Sequence, residues 1–153
     1  MIISPSGGSV GVGFAVPVKT AKRVINDIQQ FGRVRKATLG VFTYPLNQRI
    51  ADEFGYSVSE GLMIVDLVPD SAGAKAGLQR GSQGMRYGNS VIYPGGDVIL
   101  EADGEAIKDR DDLNHILNSK NVGDHVNLKI LRNNRKLNIT VQLAESARIA
   151  TQR

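Results

Sequence analysis

The chain has 153 residues, of which 41% are hydrophobic and 22% charged, and it contains no cysteine. This length favours one ordinary domain or a smaller domain with an appendage, and the apolar fraction excludes an intrinsically disordered chain. Without cysteine there are no disulfides, thiolate metal ligands or cysteine nucleophile, and no apolar run approaches the roughly 20 residues of a membrane span. The first residues lack the basic and apolar segments of a signal peptide, which indicates either a cytosolic protein or a chain that begins inside a longer one.

The net charge of +4 is concentrated in residues 19–36. Six basic residues against Asp27 alone give this segment a charge of +5, so the other residues together carry −1. A basic stretch suggests nucleic-acid binding, but Phe31 is its only aromatic residue and no recognised binding motif accompanies it. We therefore interpret the segment as a solvated helix face followed by a linker, with a basic nucleic-acid-binding domain as an alternative.

The first predicted elements are a strand and a helix. Residues 10–16 alternate Val or Phe with small residues, which is typical of a strand or hairpin, and Pro17 ends it. Apolar residues at helical spacing predict a helix over residues 20–31, with Thr20 as its N-cap and Gly32 after its end. The basic connector that follows is the best domain boundary in the chain.

The remaining residues predict a compact mixed domain. The alternation of apolar and polar residues over 126–143, around Asn133 and Asn134, predicts a final hairpin. Residues 79–95 fit no regular element, and a loop of that length is often functional. The other expected elements are strands over 37–42, 62–68 and 97–102, helices over 46–54 and 109–119, and a helical turn over 71–76.

Several motifs occur in an order that is known from one protein family. The first is the run Ile2-Ile3-Ser4-Pro5-Ser6-Gly7-Gly8-Ser9-Val10-Gly11-Val12-Gly13-Phe14-Ala15-Val16-Pro17-Val18, and the second is the helix and basic linker over residues 21–35. These segments look like the last strands of the protease domain, and the helix and linker that follow, in the C-terminal part of HtrA/DegP-like, trypsin-like serine proteases. The PDZ domain of that family is similar in three blocks: Thr38-Leu39-Gly40-Val41, residues 68–78, and Gly96-Asp97-Val98-Ile99-Leu100.

The resemblance implies an α+β fold: a PDZ-like, partly open antiparallel β-barrel or sandwich with two helices. A β-strand or hairpin and a linker helix, left over from a chymotrypsin-like β-barrel, would precede it. The implied domains are a protease-domain remnant over 1–34, a PDZ domain over 35–145 with an insertion at 79–95, and a flexible tail over 146–153. Without its barrel, the remnant is expected to pack back on the module, to pair with another copy or to be mobile.

PDZ-like modules bind an extended peptide as an extra strand at a sheet edge. The resemblance places that peptide between the strand that begins at Leu39 and the helix that carries Leu113 and Leu117. Gly40 can leave backbone amides uncovered for a terminal carboxylate, which makes Leu39, Gly40 and Val41 the candidate carboxylate-binding residues.

Apolar spacing supports a pocket beside that carboxylate site. Leu39 and Val41 are two residues apart in a strand, and Leu113 and Leu117 are one helical turn apart, so each pair shares a face. Plain core packing is the alternative for Leu39 and Val41. Arg35 and Lys36 precede the loop and either support an anionic ligand electrostatically or belong to a solvated linker. The candidate hydrophobic pocket consists of Leu39, Val41, Leu113, Ile116 and Leu117.

The chain by itself is not expected to be an enzyme, because the catalytic His, Asp and Gly-Asn-Ser-Gly-Gly motif of the family would lie upstream of Ile2. Gly88-Asn89-Ser90 copies half of that motif, but valine and isoleucine follow it where the oxyanion turn needs glycines. The only histidines, His115 and His125, do not form a recognisable triad with Ser90. No metal or cofactor is expected, and the carboxylates of residues 109–112 are best interpreted as helix N-terminus chemistry, with a weak cation site as the alternative.

The expected function is that of a PDZ regulatory module that binds peptides or C-termini in an HtrA-like serine endopeptidase and recruits substrate or regulates proteolysis. The alternative is a fragment of a full-length active protease involved in protein quality control. The expected partners are C-terminal or extended hydrophobic peptides of misfolded proteins and the parent protease domain, without nucleic acid and with homo-oligomerisation left open. The family resemblance implies an extracytoplasmic, periplasmic or cell-envelope location.

Overall fold

The structure is a computed structural model that describes residues 15–146, and the chain divides into two units, residues 1–34 and 35–153. In the first unit, helix α1 spans Val18–Phe31 and ends at Gly32, whose φ of 68° is left-handed. The helix begins before Thr20, so the prediction of a Thr20 cap was wrong: Pro17 is the N-cap residue and its carbonyl accepts from the Thr20 amide. The predicted strand over 10–16 lies outside the described residues except at 15 and 16, which have no regular structure.

The second unit contains short helices and antiparallel strands. Its helices are α2 (Gln48–Phe54), α3 (Ala72–Lys75) and α4 (Arg110–Asn118). Its strands are β1 (Ala37–Thr38), β2 (Val41–Leu46), β3 (Gly61–Leu67), β4 (Met85–Tyr87), β5 (Ser90–Ile92), β6 (Val98–Ala102), β7 (Glu105–Ala106), β8 (His125–Arg132), β9 (Arg135–Gln142) and β10 (Ala144–Glu145).

One antiparallel sheet organises this unit, in the order β2-β3-β6-β8-β9, with β7 added beside β6. Successive buried residues of a strand point to opposite faces: Leu62 and Ile64 belong to one apolar cluster, and Met63 between them belongs to the other. The first cluster includes Leu113 and Leu117 of α4, and the second includes Ile50 of α2. The sheet is therefore covered by α4 on one face and by α2 on the other.

Local chemistry accounts for the boundaries of these elements. Asn133 and Asn134 both have positive φ, 50° and 59°, which is the two-residue turn that matches the twist of a hairpin between β8 and β9. Helix α4 begins with a capping box in which Asp109 and Asp112 each accept the other's backbone N–H. The hairpin, the α4 cap and the mixed α+β class thus follow the sequence prediction.

Two predicted elements differ from the structure. The strand expected over 37–42 is divided into β1 and β2, because Gly40 has a φ of 69° and turns the chain between them. Residues 79–95, interpreted as a loop, contain the β4–β5 hairpin, which turns at Gly88 with a φ of 59°. Three-residue strands lie below the length at which alternation is recognisable in a sequence.

A buried carboxylate links the two ends of the segment 79–95. Asp97 is fully buried and accepts two hydrogen bonds from the Arg132 guanidinium, both at 2.7 Å. It also accepts the Gln79 amide, and its own amide donates back to the Gln79 carbonyl. Residues 79 and 97 are therefore hydrogen-bonded directly to each other, which brings the two ends of this segment together.

Within residues 15–146, no helix combines the length and apolar character needed to cross a bilayer.

Candidate functional site

A groove of about 150 Å³ lies between β2 and α4. This is the volume of a cavity that admits a benzene-sized group. Strand β2 is the terminal strand of the sheet, so its outer edge, which we call the free edge, faces this groove. The lining residues are Thr38, Leu39, Gly40, Val41, Phe42, Thr43, Arg110, Leu113, Asn114 and Leu117.

The Leu39–Val41 loop turns backbone amides away from the body of the domain. The Leu39 carbonyl accepts the Gly73 amide at 2.7 Å, and the Gly40 carbonyl accepts the Val68 amide at 2.8 Å. In a trans peptide the N–H points opposite to the C=O, so the amides of Gly40 and Val41 point away from α3 and β3 respectively. The Gly40 amide donates a hydrogen bond to Thr38 Oγ1 at 3.1 Å. A charged acceptor such as a carboxylate forms a stronger hydrogen bond and can replace this local one.

Gly40 is required for two reasons. Its φ of 69° disfavours any side chain, and a Cβ there would collide with the side chain of Ser71. Ser71 is the N-cap of α3, where its hydroxyl accepts the Ala74 amide. The sequence argument assigned Gly40 only to the uncovering of amides and missed that it also lets α3 pack against the loop.

Glycine at position 73 has a matching role on the other side of this contact. A Cβ at Gly73 would lie 2.9 Å from Val41 Cγ1 and 3.0 Å from the Leu39 carbonyl oxygen. The Ser71–Gly73 segment therefore positions the loop from behind, a role that its small-residue composition could have indicated.

The apolar wall of the groove is tightly packed. Leu39 is 1%, Leu113 4% and Leu117 7% exposed, and all three belong to the cluster under α4, with the half-buried Val41 packed against it. A ligand side chain would thus contact their edges over a largely closed floor. Ile116 lies in the same cluster but is not among the groove-lining residues.

The remaining charged candidates do not line the groove. Arg35 is half-buried and Lys36 is exposed, and the Lys36 carbonyl accepts the Ser146 amide beside the β1–β10 pair. The cation that does line the groove is Arg110, whose Nη2 donates to the Thr43 carbonyl at 2.6 Å. Sequence reasoning missed Arg110, together with Thr38, Phe42, Thr43 and Asn114.

The serine and the two histidines that were considered for a catalytic triad lie on three different elements. Ser90 pairs with Tyr87 in the β4–β5 hairpin, His115 lies on the exposed side of α4, and His125 begins β8 and is exposed. Within residues 15–146 no cluster of His, Asp or Glu has the arrangement of a metal site. Two of the carboxylates at 109–112 form the capping box of α4, as the sequence interpretation held.

Among residues 15–146, the groups with displaced pKa values also lie outside the groove. Burial raises the pKa of Tyr56 despite a hydrogen bond from Gly95, and the hydrogen bonds of Asp97 raise the pKa of Arg132. Burial alone would raise the pKa of Asp103, but hydrogen bonds from Asn127 and Lys120 outweigh it and lower the pKa. The groove therefore has the character of a binding surface formed by backbone amides and apolar side chains.

Similarity to known proteins identifies the family of this domain. The sequence pattern of the PDZ domain matches residues 12–143, which is most of the chain. The chain belongs to the PDZ domain family. Its PDZ region is homologous to HtrA/DegP serine endoproteases over most of its length, as the motifs predicted.

Two curated relatives show the extent of the homology. The chain is 33% identical over 144 residues to a "Probable periplasmic serine endoprotease DegP-like" of Halomonas elongata, covering 94% of this chain and 27% of that protein. It is 35% identical over 142 residues to "Protease Do-like 1, chloroplastic" of Arabidopsis thaliana, covering 93% and 30%. The chain thus spans less than a third of either relative.

Solved structures agree with the fold. The "HtrA-type protease AlgW with decapeptide" superposes with a TM-score of 0.61 at 28% identity, over 96% of this PDZ chain and 41% of that protein. The "HtrA3 PDZ Domain Bound to a Phage-Derived Ligand" has a TM-score of 0.56 at 19% identity, over 73% and 88%, and supports the fold alone. The expected PDZ-like α+β fold is confirmed.

Proposed function

We propose that this PDZ domain captures the free C-terminus of an extended peptide in the groove between β2 and α4. The observation that carries the proposal is the placement of outward-pointing amides of Gly40 and Val41 beside a terminal strand and a leucine-lined wall. Main-chain hydrogen bonds to the free edge would supply much of the affinity. The carboxylate would accept from the loop amides, and the last side chain would contact Leu113 and Leu117.

The size of the groove is consistent with a reversible interaction. Burial of one Val- or Leu-sized side chain contributes roughly 1.5–3 kcal/mol, and this supplements the backbone bonds and the carboxylate contacts to give micromolar affinity. Such affinity suits a module that samples exposed chain ends. Arg35 and Lys36 would add at most long-range attraction, because neither lines the groove.

We infer further that the parent protein is an HtrA-like serine endopeptidase in which this module recruits substrate or regulates proteolysis. The homology to serine endoproteases and the chain's limited share of their length support this inference. The partners would be C-terminal or extended hydrophobic segments of misfolded proteins, together with the parent protease domain. The relatives' names support an extracytoplasmic or organellar location.

Isothermal titration with matched peptides tests carboxylate capture. Two peptides of identical sequence that end in valine, one with a free carboxylate and one amidated, are titrated into the domain. The free acid should bind at least about tenfold more tightly, because charge-assisted bonds to amides contribute roughly 1.5–3 kcal/mol. Equal affinity for both peptides would contradict the proposal.

A further inference from the structure

Helix α3 lies behind the Leu39–Val41 loop and supports it. The Gly73 amide donates to the Leu39 carbonyl at 2.7 Å, and the Ser71 side chain fills the space beside Gly40. At both contacts the chain approaches too closely for a Cβ on the glycine, so a displacement of α3 would displace the loop or break these contacts. The placement of the amides that would bind a carboxylate therefore depends on the placement of α3.

A helix as short as α3 is not stable by itself. It spans four residues, whereas isolated helices shorter than roughly 12–15 residues are marginal in water. The Ser71 cap satisfies one amide at its N-terminal end but does not connect that end to the sheet. Contacts with the rest of the domain must hold α3 in place, and one of those at its C-terminal end involves a charged side chain.

That charged side chain is Arg132. Its Nη2 donates to the Gly77 carbonyl and to Asp97 Oδ2, both at 2.7 Å, and its Nε donates to Asp97 Oδ1 at 2.7 Å. Asp97 is fully buried and the Arg132 side chain is 22% exposed, so solvent screens this ion pair only weakly. Arg132 is the last residue of β8, which lies between β6 and β9 in the sheet. The guanidinium thus connects the segment that ends α3 to an interior strand.

The shape of the guanidinium suits this connection. It is planar and carries its N–H donors at fixed angles, so the two bonds to Asp97 also direct the second Nη2 hydrogen to the Gly77 carbonyl. A lysine would keep the positive charge beside Asp97, but its ammonium is a compact charge on a flexible stem and does not impose the same geometry. Substitution by lysine should therefore loosen the bond to Gly77 while it retains the ion pair.

We propose that Arg132 is a positioning residue for carboxylate capture, because it holds the Leu39–Val41 loop in its binding conformation through Gly77 and α3. The proposal rests on the proposed capture of C-terminal peptides. Arg132 does not line the groove, so it acts without contact to the ligand. Its loss would misalign the Gly40 and Val41 amides with the ligand's carboxylate, and hydrogen bonds weaken steeply when they are misaligned. The contacts of the peptide with α4 would remain.

The test uses two valine-ended peptides of identical sequence, one with a free carboxylate and one amidated. Both are titrated into wild type, Arg132→Lys and Arg135→Lys at a temperature where circular dichroism shows each protein folded. Arg135 is exposed and pairs with Arg132 in the β8–β9 hairpin, so it offers the same substitution beside the same turn, whereas the bond to Gly77 belongs to Arg132.

We expect the ratio of the two affinities, free acid over amide, to fall about three- to tenfold in Arg132→Lys and to stay unchanged in Arg135→Lys. A loss of global stability alone would lower both affinities equally and leave this ratio intact, so the ratio reports on the loop. In the NMR spectrum of the ligand-free protein, the Gly40 and Val41 amide signals should shift in Arg132→Lys and not in the control.

The outcomes separate this proposal from the one on which it rests. If wild type favours the free acid and Arg132→Lys keeps the full ratio, Arg132 has no positioning role and carboxylate capture stands. An equal fall in Arg135→Lys would also overturn the role of Arg132. If wild type binds both peptides equally, carboxylate capture fails, and the proposal for Arg132 fails with it.

A second variant applies if Arg132→Lys does not fold. The double variant Asp97→Asn/Arg132→Gln removes both charges together, so neither is left buried without its partner. It lacks the guanidinium bond to Gly77 and should show the same fall in the ratio. Failure of both variants to fold would assign the ion pair to the stability of the whole domain and overturn the proposal.

Discussion

The two terminal strands of the main sheet, β2 and β9, both have an outer edge, and they differ in length, in side chains and in the elements beside them. Strand β9 spans eight residues and carries exposed polar side chains along most of its length. Strand β2 spans six residues, contains Pro45 and lies beside α4, with Arg110 bonded to its outer edge. Charged and polar residues are a general protection of a sheet edge against unspecific pairing, whereas a proline and a flanking helix restrict pairing to a short segment of one orientation. One edge of the sheet is thus protected along most of its length, whereas the other leaves one short stretch available for pairing.

The largest expected effect on peptide binding comes from Gly40→Ala at the β2 edge. The substitution combines a left-handed φ of 69° with a collision against Ser71, so both stability and peptide binding should fall. Gly55→Ala is the matched control, because Gly55 has a φ of 70° and nothing within 4 Å of its Cβ position. Backbone strain alone costs roughly 1–2 kcal/mol, and Gly40→Ala should exceed that in urea unfolding. Equal losses in the two variants would show that the contact with α3 is unimportant.

An intermediate effect on peptide binding is expected when a leucine of the groove wall is shortened. Leu117→Ala removes part of the groove wall and of the core, and should lower the free energy of unfolding by about 2–5 kcal/mol. It should also weaken the binding of a valine-ended peptide about tenfold, measured by titration at a temperature where circular dichroism shows the variant folded.

Leu137→Ala on β9 is the control for that variant, because Leu137 is 40% exposed on the opposite terminal strand. It should change stability by less than Leu117→Ala does, and peptide affinity should stay the same. If Leu117→Ala leaves peptide binding unaffected, the ligand binds elsewhere, and the edges of β2 and β9 do not differ in peptide binding.

The smallest effect is expected in the middle of the sheet, where Asp103 forms a turn remote from both edges. Its pKa is lowered in the folded state by bonds from the Asn127 amide and Lys120, so this carboxylate stabilises the fold above its unfolded pKa and loses that contribution as the pH falls through the folded pKa. Asp103→Asn should cost up to about 1 kcal/mol at neutral pH and nothing at strongly acidic pH, by urea unfolding at both. A difference that persists in acid would mean that the charge is not responsible. Peptide affinity should not change, which separates stability from the binding edge.

Much of this molecule could be predicted from local patterns. The alternation over β8 and β9, the Asn133–Asn134 turn and the Asp109 cap are signals carried by neighbouring residues. Four of the five residues that spacing and family resemblance predicted for the pocket, Leu39, Val41, Leu113 and Leu117, line one cavity, and their role in binding stays a prediction.

The features that escaped prediction depend on distant contacts. Arg110 and Thr43 are 67 residues apart in sequence, and nothing in either neighbourhood indicates their hydrogen bond. The role of Gly40 against Ser71 likewise arises only when α3 folds against the loop. Thr20 was assigned as a cap because its residue type suits one, but the helix could start earlier since proline is tolerated at a helix start.

The hydrogen bonds between residues 79 and 97 fix the two ends of the segment that contains the β4–β5 hairpin. A Cβ at Gly96 would lie 2.5 Å from the Gly81 nitrogen, so the two segments approach each other too closely there for a side chain at residue 96. Asp97 and Arg132 hold these two segments together, and Ile92 of β5 is fully buried beside Met63 and Val98, so the base of the hairpin is anchored to the sheet. The exposed turn at Gly88 and Asn89 is therefore the place for a graft: a foreign loop inserted there should leave the domain able to fold, whereas an exchange that removes Ile92 should not.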